Sequence, residues 1–176
     1  MSTAQWFAGI AAACIAAVGI ALVSQHVYGM QPCPWCVLQR VIFVAIAIAC
    51  VTGLLWRGAM GRRIAGGLSL ALALGGIAAA LWQHFQAASS ASCNLTLADR
   101  IVSNWLGLDS LWPDVFSPRA SCAEAAVDLL GVPYDLWSLA LFVVIALALL
   151  RLLSGGEPAR LRTSPRNPPE SRSTTR

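Results

Sequence analysis

The chain has 176 residues, of which 57% are hydrophobic and 11% charged, and its mean hydropathy is +0.67. A typical soluble domain carries about 25% charged residues, so this composition excludes a disordered chain and a coiled coil and argues against a soluble enzyme. The net charge is +4 and every basic residue is Arg, but the arginines form no stripe of the kind that binds nucleic acid.

Four uncharged apolar runs predict four membrane-spanning helices, since a spanning helix needs ~20 mostly apolar residues. The predicted spans cover residues 6–27, 36–56, 64–84 and 135–153, and the third is rich in Gly and Ala. Small residues let helices approach closely in lipid. The prediction is an all-α integral membrane protein whose domain, residues 1–153, is a four-helix bundle.

The positions of the arginines predict the sidedness of the spans. Arg57, Arg62 and Arg63 lie between the second and third spans, and six more arginines follow from Arg151 onward. Arginine is enriched on the cytoplasmic side of membranes. We therefore expect both termini in the cytoplasm, and the short link 28–35 and the long link 85–134 outside. The tail, residues 154–176, is rich in Pro, Arg and Ser and is predicted to be disordered.

The long link contains an amphipathic stretch. Leu97, Ile101, Trp105 and Leu108 recur at helical spacing, which predicts a helix lying on the outer membrane surface. A small covering subdomain is the alternative.

Cys33 and Cys36 form a C-x-x-C at the start of the second span, where the helix N-terminus favours the thiolate. This spacing is typical of a reversible dithiol and disulfide. Haem attachment needs a histidine where Val37 stands, and a zinc site needs a second such pair, so no metal is expected. A structural disulfide stays possible, although so short a loop stabilises little.

Cys93 and Cys122 form a second pair, in the long link. A disulfide closing this loop would stabilise the fold by roughly 3–4 kcal/mol, so a structural staple is one interpretation. Two pairs on the same side of the membrane also suggest a relay, in which thiolate attack passes a disulfide from one pair to the other. Cys14 and Cys50 lie inside spans and are interpreted as small buried apolar residues.

Two further side chains are candidates. Arg40 lies one helical turn after Cys36, where a cation inside a span is costly and usually functional. The alternative is an arginine that extends to the lipid headgroups. His84 ends the third span, and it is either a polar end residue or a hydrogen-bond partner and proton donor for an acceptor in the membrane.

The segment Pro32 to Arg40 resembles the P-C-x-x-C-x-x-x-R signature of the DsbB family of quinone-reducing disulfide bond formation proteins. Residues 106–124, ending in Cys122-Ala-Glu, resemble the second outer loop of that family. The resemblance covers all four spans and leaves out the tail.

The resemblance implies a bacterial inner-membrane enzyme that reoxidises the periplasmic thioredoxin-fold carrier DsbA and passes the electrons to ubiquinone or another membrane quinone. Cys93 would form the mixed disulfide with the carrier, Cys122 would attack Cys33, and Cys36 would engage the quinone with help from Arg40. His84 would be a quinone-side histidine. All four of these cysteines would face the periplasm.

Two other classes stay open. A vitamin K epoxide reductase-like enzyme is also a four-helix quinone reductase, but its C-x-x-C follows the loop cysteines, whereas here Cys33 and Cys36 come first. A non-enzymatic four-span scaffold with structural disulfides is the other. Redox titration separates the scaffold from the enzymes, because a staple resists exchange with a carrier.

Overall fold

A computed structural model describes residues 2–56, 58–87, 97–121, 128–129 and 131–154. Four helices in this part of the chain are long and apolar enough to cross a membrane, which confirms the predicted all-α four-helix membrane bundle. The chain is a multi-pass membrane protein. In chain order the elements are α1 (Thr3–Val27), α2 (Pro34–Leu55), α3 (Ala59–Trp82), a π-helical turn (Gln83–Ala87), α4 (Leu97–Asp99), a second π-helical segment (Arg100–Trp105), α5 (Leu108–Leu111), α6 (Pro113–Phe116), β1 (Asp128–Leu129), β2 (Val132–Pro133) and α7 (Tyr134–Ser154).

The helix ends follow local rules. Ser2 and Gln5 form a reciprocal capping box at the start of α1. After α1 the chain turns at Gly29, whose φ of 67° suits glycine. The second span starts at Pro34 rather than at Cys36 as the sequence predicted, because Cys33 takes the N-cap position and proline suits the first helical turn.

The bundle core is built around two stacked rings. Phe43 of α2 and Phe142 of α7 lie parallel with their centroids 4.1 Å apart. α3 passes close to this stack, since a Cβ added at Gly76 would lie 2.4 Å from the Phe142 ring. The neighbouring Gly75 has open space around it. The small residues on one face of α3 therefore allow this helix to pack closely against α7.

The same core contains Cys14 and Cys50, both fully buried. Cys50 Sγ lies 3.6 Å from Ser69 Oγ. Their burial agrees with the interpretation of these cysteines as small apolar core residues. Large apolar side chains on the opposite faces of the helices are more than half exposed and form the surface available to lipid, as at Ile15, Ile20, Leu68 and Val144.

The long link folds over one end of the bundle, here called the cysteine end, where α1 and α3 end and α2 and α7 begin. An apolar cluster joins the link to α2 and α3; its buried members are Cys33, Trp35, Val37, Leu38, Ala79, Ala98, Val102 and Phe116. The link therefore covers the start of α2.

The amphipathic stretch is not the continuous helix that the spacing predicted. Gly107, at a φ of 58°, and Pro113 divide it into short segments. Ala98 and Val102 face the bundle, while Leu97 and Trp105 are exposed. Contact of these exposed residues with a membrane surface stays a prediction. The disordered tail was predicted for residues of which 155–176 lie outside the described part of the chain.

Candidate active site at the cysteine end

Cys33 and Cys36 lie next to each other at the first turn of α2. Their Sγ atoms are 3.1 Å apart, and the Cys33 sulfur also accepts a hydrogen bond from the Cys36 amide. A small side-chain rotation brings sulfurs at this separation to the ~2.05 Å of a disulfide bond. The pair is therefore arranged for reversible disulfide formation.

The Cys36 sulfur is held by a chain of polar side chains that crosses three helices. Gln83 Nε2 donates to Cys36 Sγ over 3.3 Å, and Gln39 Nε2 donates to Gln83 Oε1 over 2.8 Å. The Ser138 hydroxyl of α7 in turn donates to Gln39 Oε1. A sulfur that accepts an amide hydrogen bond is better able to carry negative charge. The Gln83 amide is therefore placed to stabilise negative charge on the Cys36 sulfur when Cys36 leaves as a thiolate.

A cavity of about 560 Å³ opens beside Cys36. Its wall is mostly apolar, and Gln39, Arg40, Gln83, Tyr134, Asp135 and Ser138 supply polar groups. Ligand sites in proteins typically occupy about 300–1,000 Å³ and combine an apolar lining with a few placed polar groups. Cys36 lines this cavity, whereas Cys33 is fully buried in the cluster beneath the long link. The two sulfurs therefore face different parts of the protein.

Arg40 reaches into the bundle rather than to its edge, since it is only 6% exposed. Its Nη1 donates to Gln25 Oε1 over 2.7 Å and to the Val115 carbonyl over 3.0 Å. The ion pairs among the described residues join His84 to Asp135 and Arg119 to Asp114, so Arg40 is balanced there by neutral oxygens. Its Nε is buried and has no hydrogen-bond partner among the described residues.

His84 lies beside the cavity without forming its wall. Its Nδ1 is 2.8 Å from Asp135 Oδ2, and Asp135 lines the cavity while His84 is not among the described lining residues. The residue of this turn that reaches Cys36 is the preceding one, Gln83.

The long link returns to the C-x-x-C shortly before Cys122. The backbone amides of Arg119 and Ala120 both donate to the Pro32 carbonyl, over 2.9 and 3.3 Å. Cys93 and Cys122 lie outside the described residues. The chain is therefore fixed beside Cys33 a few residues upstream of Cys122.

Comparison with known proteins identifies the family. The profile described as "Disulfide bond formation protein DsbB" matches residues 3–152. The chain belongs to the DsbB family. Family relatives named Disulfide bond formation protein B occur in Aromatoleum aromaticum, at 34% identity over 87% of this chain and 93% of the relative, and in Ralstonia nicotianae, at 36% over 82% and 90%. Disulfide bond formation protein B 2 of Pseudomonas aeruginosa is 36% identical over 75% of this chain and 79% of that relative.

Membership of the DsbB family makes the chain a disulfide-forming oxidoreductase of the membrane. The chain aligns with nearly the full length of the first two relatives, so the match extends over the whole bundle. This result favours the DsbB-like interpretation over the scaffold and over the vitamin K epoxide reductase-like enzyme.

Several polar residues of the site were not recognised in the sequence. Gln25, Gln39 and Gln83 are buried near the cysteine ends of three different spans. Asp135 and Ser138 come from the first five residues of α7. The sequence did contain a signal for these residues, because polar side chains within an apolar span usually face the bundle interior and find partners there.

Proposed function

We propose that this DsbB-family protein transfers electrons from a reduced periplasmic thioredoxin-fold carrier, DsbA, to a membrane quinone. The route runs from the carrier to the Cys93–Cys122 pair, then to Cys33–Cys36, and finally to the quinone. The observation that carries the proposal is the cavity in the membrane bundle whose wall contains both the Cys36 sulfur and the buried Arg40.

The different surroundings of Cys33 and Cys36 support this direction of transfer. Cys33 lies under the long link, the part of the chain that contains the second cysteine pair. Cys36 faces the cavity. Attack on Cys33 by an incoming thiolate releases Cys36 as the leaving thiolate, and the Gln83 amide is in place to stabilise it.

The cavity residues fit a quinone headgroup. The apolar wall suits a flat ring, and the volume of about 560 Å³ is ample for one. Arg40 offers a buried cation whose Nε has no acceptor among the described residues, as expected of a donor meant for a ligand. The quinone itself would be the final acceptor of two electrons and two protons. Arg40 would hold a quinone oxygen and stabilise the negative charge that develops there.

The position of the long link supports exchange between the two cysteine pairs. Ala120 is hydrogen-bonded to Pro32, and Cys122 is two residues further along the chain. The described part of the link therefore ends next to the C-x-x-C, as exchange between the two pairs requires. Because Cys33 is fully buried, the link must move aside for the exchange.

The proposed localisation is the bacterial inner membrane, with both termini in the cytoplasm and the redox cysteines in the periplasm. The support is the distribution of arginine, as at Arg62 and Arg63 between α2 and α3. Reporter fusions at Gly58 and after Ser154 should be active in the cytoplasm, and a fusion at Ala88 should be active in the periplasm. A periplasmic reporter at Gly58 would overturn this orientation.

The activity is tested with the purified full chain in lipid nanodiscs, supplied with reduced carrier and a soluble short-chain ubiquinone. We expect quinol to form in proportion to oxidised carrier, and Cys36→Ser to abolish quinol formation. Cys50→Ser is the matched control, since Cys50 lies in the bundle core away from the cavity. Equal quinol formation by wild type and Cys36→Ser would refute the proposal.

A further inference from the structure

We propose that His84 and Asp135 form a proton relay that connects water at the cysteine end with the quinone in the cavity. This inference rests on the proposed function and deepens it. Reduction of a quinone to a quinol consumes two protons with the two electrons, and the sulfur that supplies the electrons accepts a hydrogen bond from buried Gln83, which in turn accepts one from Gln39. A side-chain path that brings protons from water to the cavity would serve this step.

The pair spans the distance from the surface to the cavity. His84 Nδ1 and Asp135 Oδ2 are 2.8 Å apart, a distance that permits direct proton transfer. The His84 side chain is 33% exposed, whereas that of Asp135 is 12% exposed and lines the cavity. One end of the pair therefore reaches water and the other reaches the ligand site.

The local backbone explains how adjacent residues serve the two tasks. The π-helical turn Gln83–Ala87 widens the end of α3, and such turns are frequent at functional sites. Within it Gln83 points to Cys36, while His84 points to Asp135 on α7. The electron donor and the proton path are thus held side by side by one turn of helix.

Asp135 is the best suited proton donor among the described residues of the cavity wall. The other titratable groups that face it there are Tyr28, Cys36, Arg40, Arg119 and Tyr134. Arginine does not release its proton in proteins, and tyrosine ordinarily does so only near pH 10. Cys36 is the electron donor. Asp135 is hydrogen-bonded to His84, through which it can exchange protons with water.

Oxidation of the cysteine pair and reduction of the quinone together conserve atoms and electrons. Cys33 and Cys36 lose two electrons as their S–S bond forms, and their two thiol protons pass to water. For each proton taken up, His84 accepts one from water on Nε2 and passes the Nδ1 proton to Asp135, which donates it to a quinone oxygen. Before the next transfer His84 returns to its Nδ1–H form by releasing the Nε2 proton to water and regaining a proton from water on Nδ1. Two such transfers supply the two protons of the quinol, so the sum is dithiol plus quinone to disulfide plus quinol.

A first test examines the His84–Asp135 contact without quinone. The chain has two histidines, so nitrogen NMR of histidine-labelled protein gives signals from His84 and His26 alone. We expect His84 to carry its neutral-form proton on Nδ1, and Asp135→Ala to shift it toward Nε2 while His26 is unchanged. Identical His84 signals in wild type and Asp135→Ala would overturn the proposed pair.

The second test measures the relay itself. With Cys33 and Cys36 reduced, a single turnover with excess quinone should be slowed on the order of 10²-fold by Asp135→Asn, because general acid catalysis typically contributes 10²–10⁴-fold. The quinone Kd should stay within about threefold of the wild-type value. This change is smaller than the tenfold change that 1.4 kcal/mol produces. Asp135→Glu should retain most of the rate, and Asp109→Asn, in the long link outside the cavity wall, should be unchanged.

Each result of the kinetic test either supports or refutes the proposed proton relay. A wild-type rate in Asp135→Asn, or an Asp135→Glu variant as slow as Asp135→Asn, would overturn it. A slower reaction explained entirely by weaker quinone binding would also overturn it. Failure of the wild-type protein to reduce quinone at all would instead refute the proposed function, and the NMR result would still report on the contact.

Discussion

Arg40 donates a 2.7 Å hydrogen bond to Gln25, and the side-chain amide of Gln25 donates to the Asp114 carbonyl over 3.0 Å. Arg40 also donates directly to the carbonyl of Val115. One buried guanidinium therefore connects α2 with α1 and with the long link. The guanidinium beside Cys36 is therefore also in contact with the link that covers Cys33.

Substitution of Arg40 should impair quinone reduction more than carrier binding. Arg40→Gln removes the positive charge, and loss of one donor to a developing negative charge typically costs 10²–10³-fold in rate. We expect slower quinol formation and a higher KM for quinone, with Arg40→Lys intermediate because a point charge replaces the planar fork. Single-turnover oxidation of reduced carrier at several quinone concentrations measures both effects.

The formation of the mixed disulfide between carrier and Cys93 is the control for Arg40, because that exchange occurs in the long link. It should proceed at the wild-type rate in Arg40→Gln. If Arg40→Gln matched wild type at every quinone concentration, Arg40 would have only a structural role.

Gln83 should tune the reactivity of Cys36. Gln83→Leu removes the amide that donates to the Cys36 sulfur, and a hydrogen bond to a charged group contributes about 1.5–3 kcal/mol. We expect the reaction of Cys36 with iodoacetamide to slow by about tenfold or more, since 1.4 kcal/mol corresponds to a factor of ten. Gln5→Leu is the control. Gln5 lies near the start of α1, at the end of the bundle opposite the cysteine end, so this substitution should leave the iodoacetamide rate unchanged. An unchanged rate in Gln83→Leu would show that the amide does not support the thiolate.

Two adjacent glycines of α3 offer a matched test of the packing. Gly76→Ala places a Cβ 2.4 Å from the Phe142 ring, whereas Gly75→Ala meets open space. Overpacking typically costs 1–3 kcal/mol, while alanine itself is favoured over glycine in a helix by about 0.5–1 kcal/mol. Thermal unfolding in detergent should therefore show a lower Tm for Gly76→Ala only. Equal Tm values would contradict the described contact between α3 and α7.

The two cysteines of the long link should behave differently when replaced. Cys122→Ala removes the proposed resolving thiol, so the carrier should accumulate as a mixed disulfide on Cys93. Cys93→Ala should form no mixed disulfide and should still allow Cys33 and Cys36 to pair. Non-reducing gels of the two variants with reduced carrier distinguish these outcomes. Full activity of Cys122→Ala without a trapped carrier would make the second pair a structural staple.

The four spans were predictable because runs of apolar residues and the positions of arginine are properties of the sequence alone. The closeness of the Cys33 and Cys36 sulfurs was predictable for a similar reason, since both lie in one turn of helix. The roles of Gln83 and Asp135 were not, because their contacts with Cys36 and His84 join residues far apart in the chain. The long link was predicted to contain one continuous helix because its apolar residues recur at helical spacing. That spacing does not reveal the breaks, which lie at Gly107 and Pro113.

The central claim is that electrons leave Cys36 for a quinone held beside Arg40. The most direct measurement mixes the reduced chain carrying Cys93→Ala and Cys122→Ala, in nanodiscs, with quinone in the absence of carrier, and quantifies both the quinol formed and the Cys33–Cys36 disulfide by mass spectrometry. The account predicts equal amounts of quinol and of this disulfide, and neither product in Cys36→Ser. Quinol formation that persists in Cys36→Ser, or a Cys33–Cys36 disulfide that forms without quinol, would contradict it.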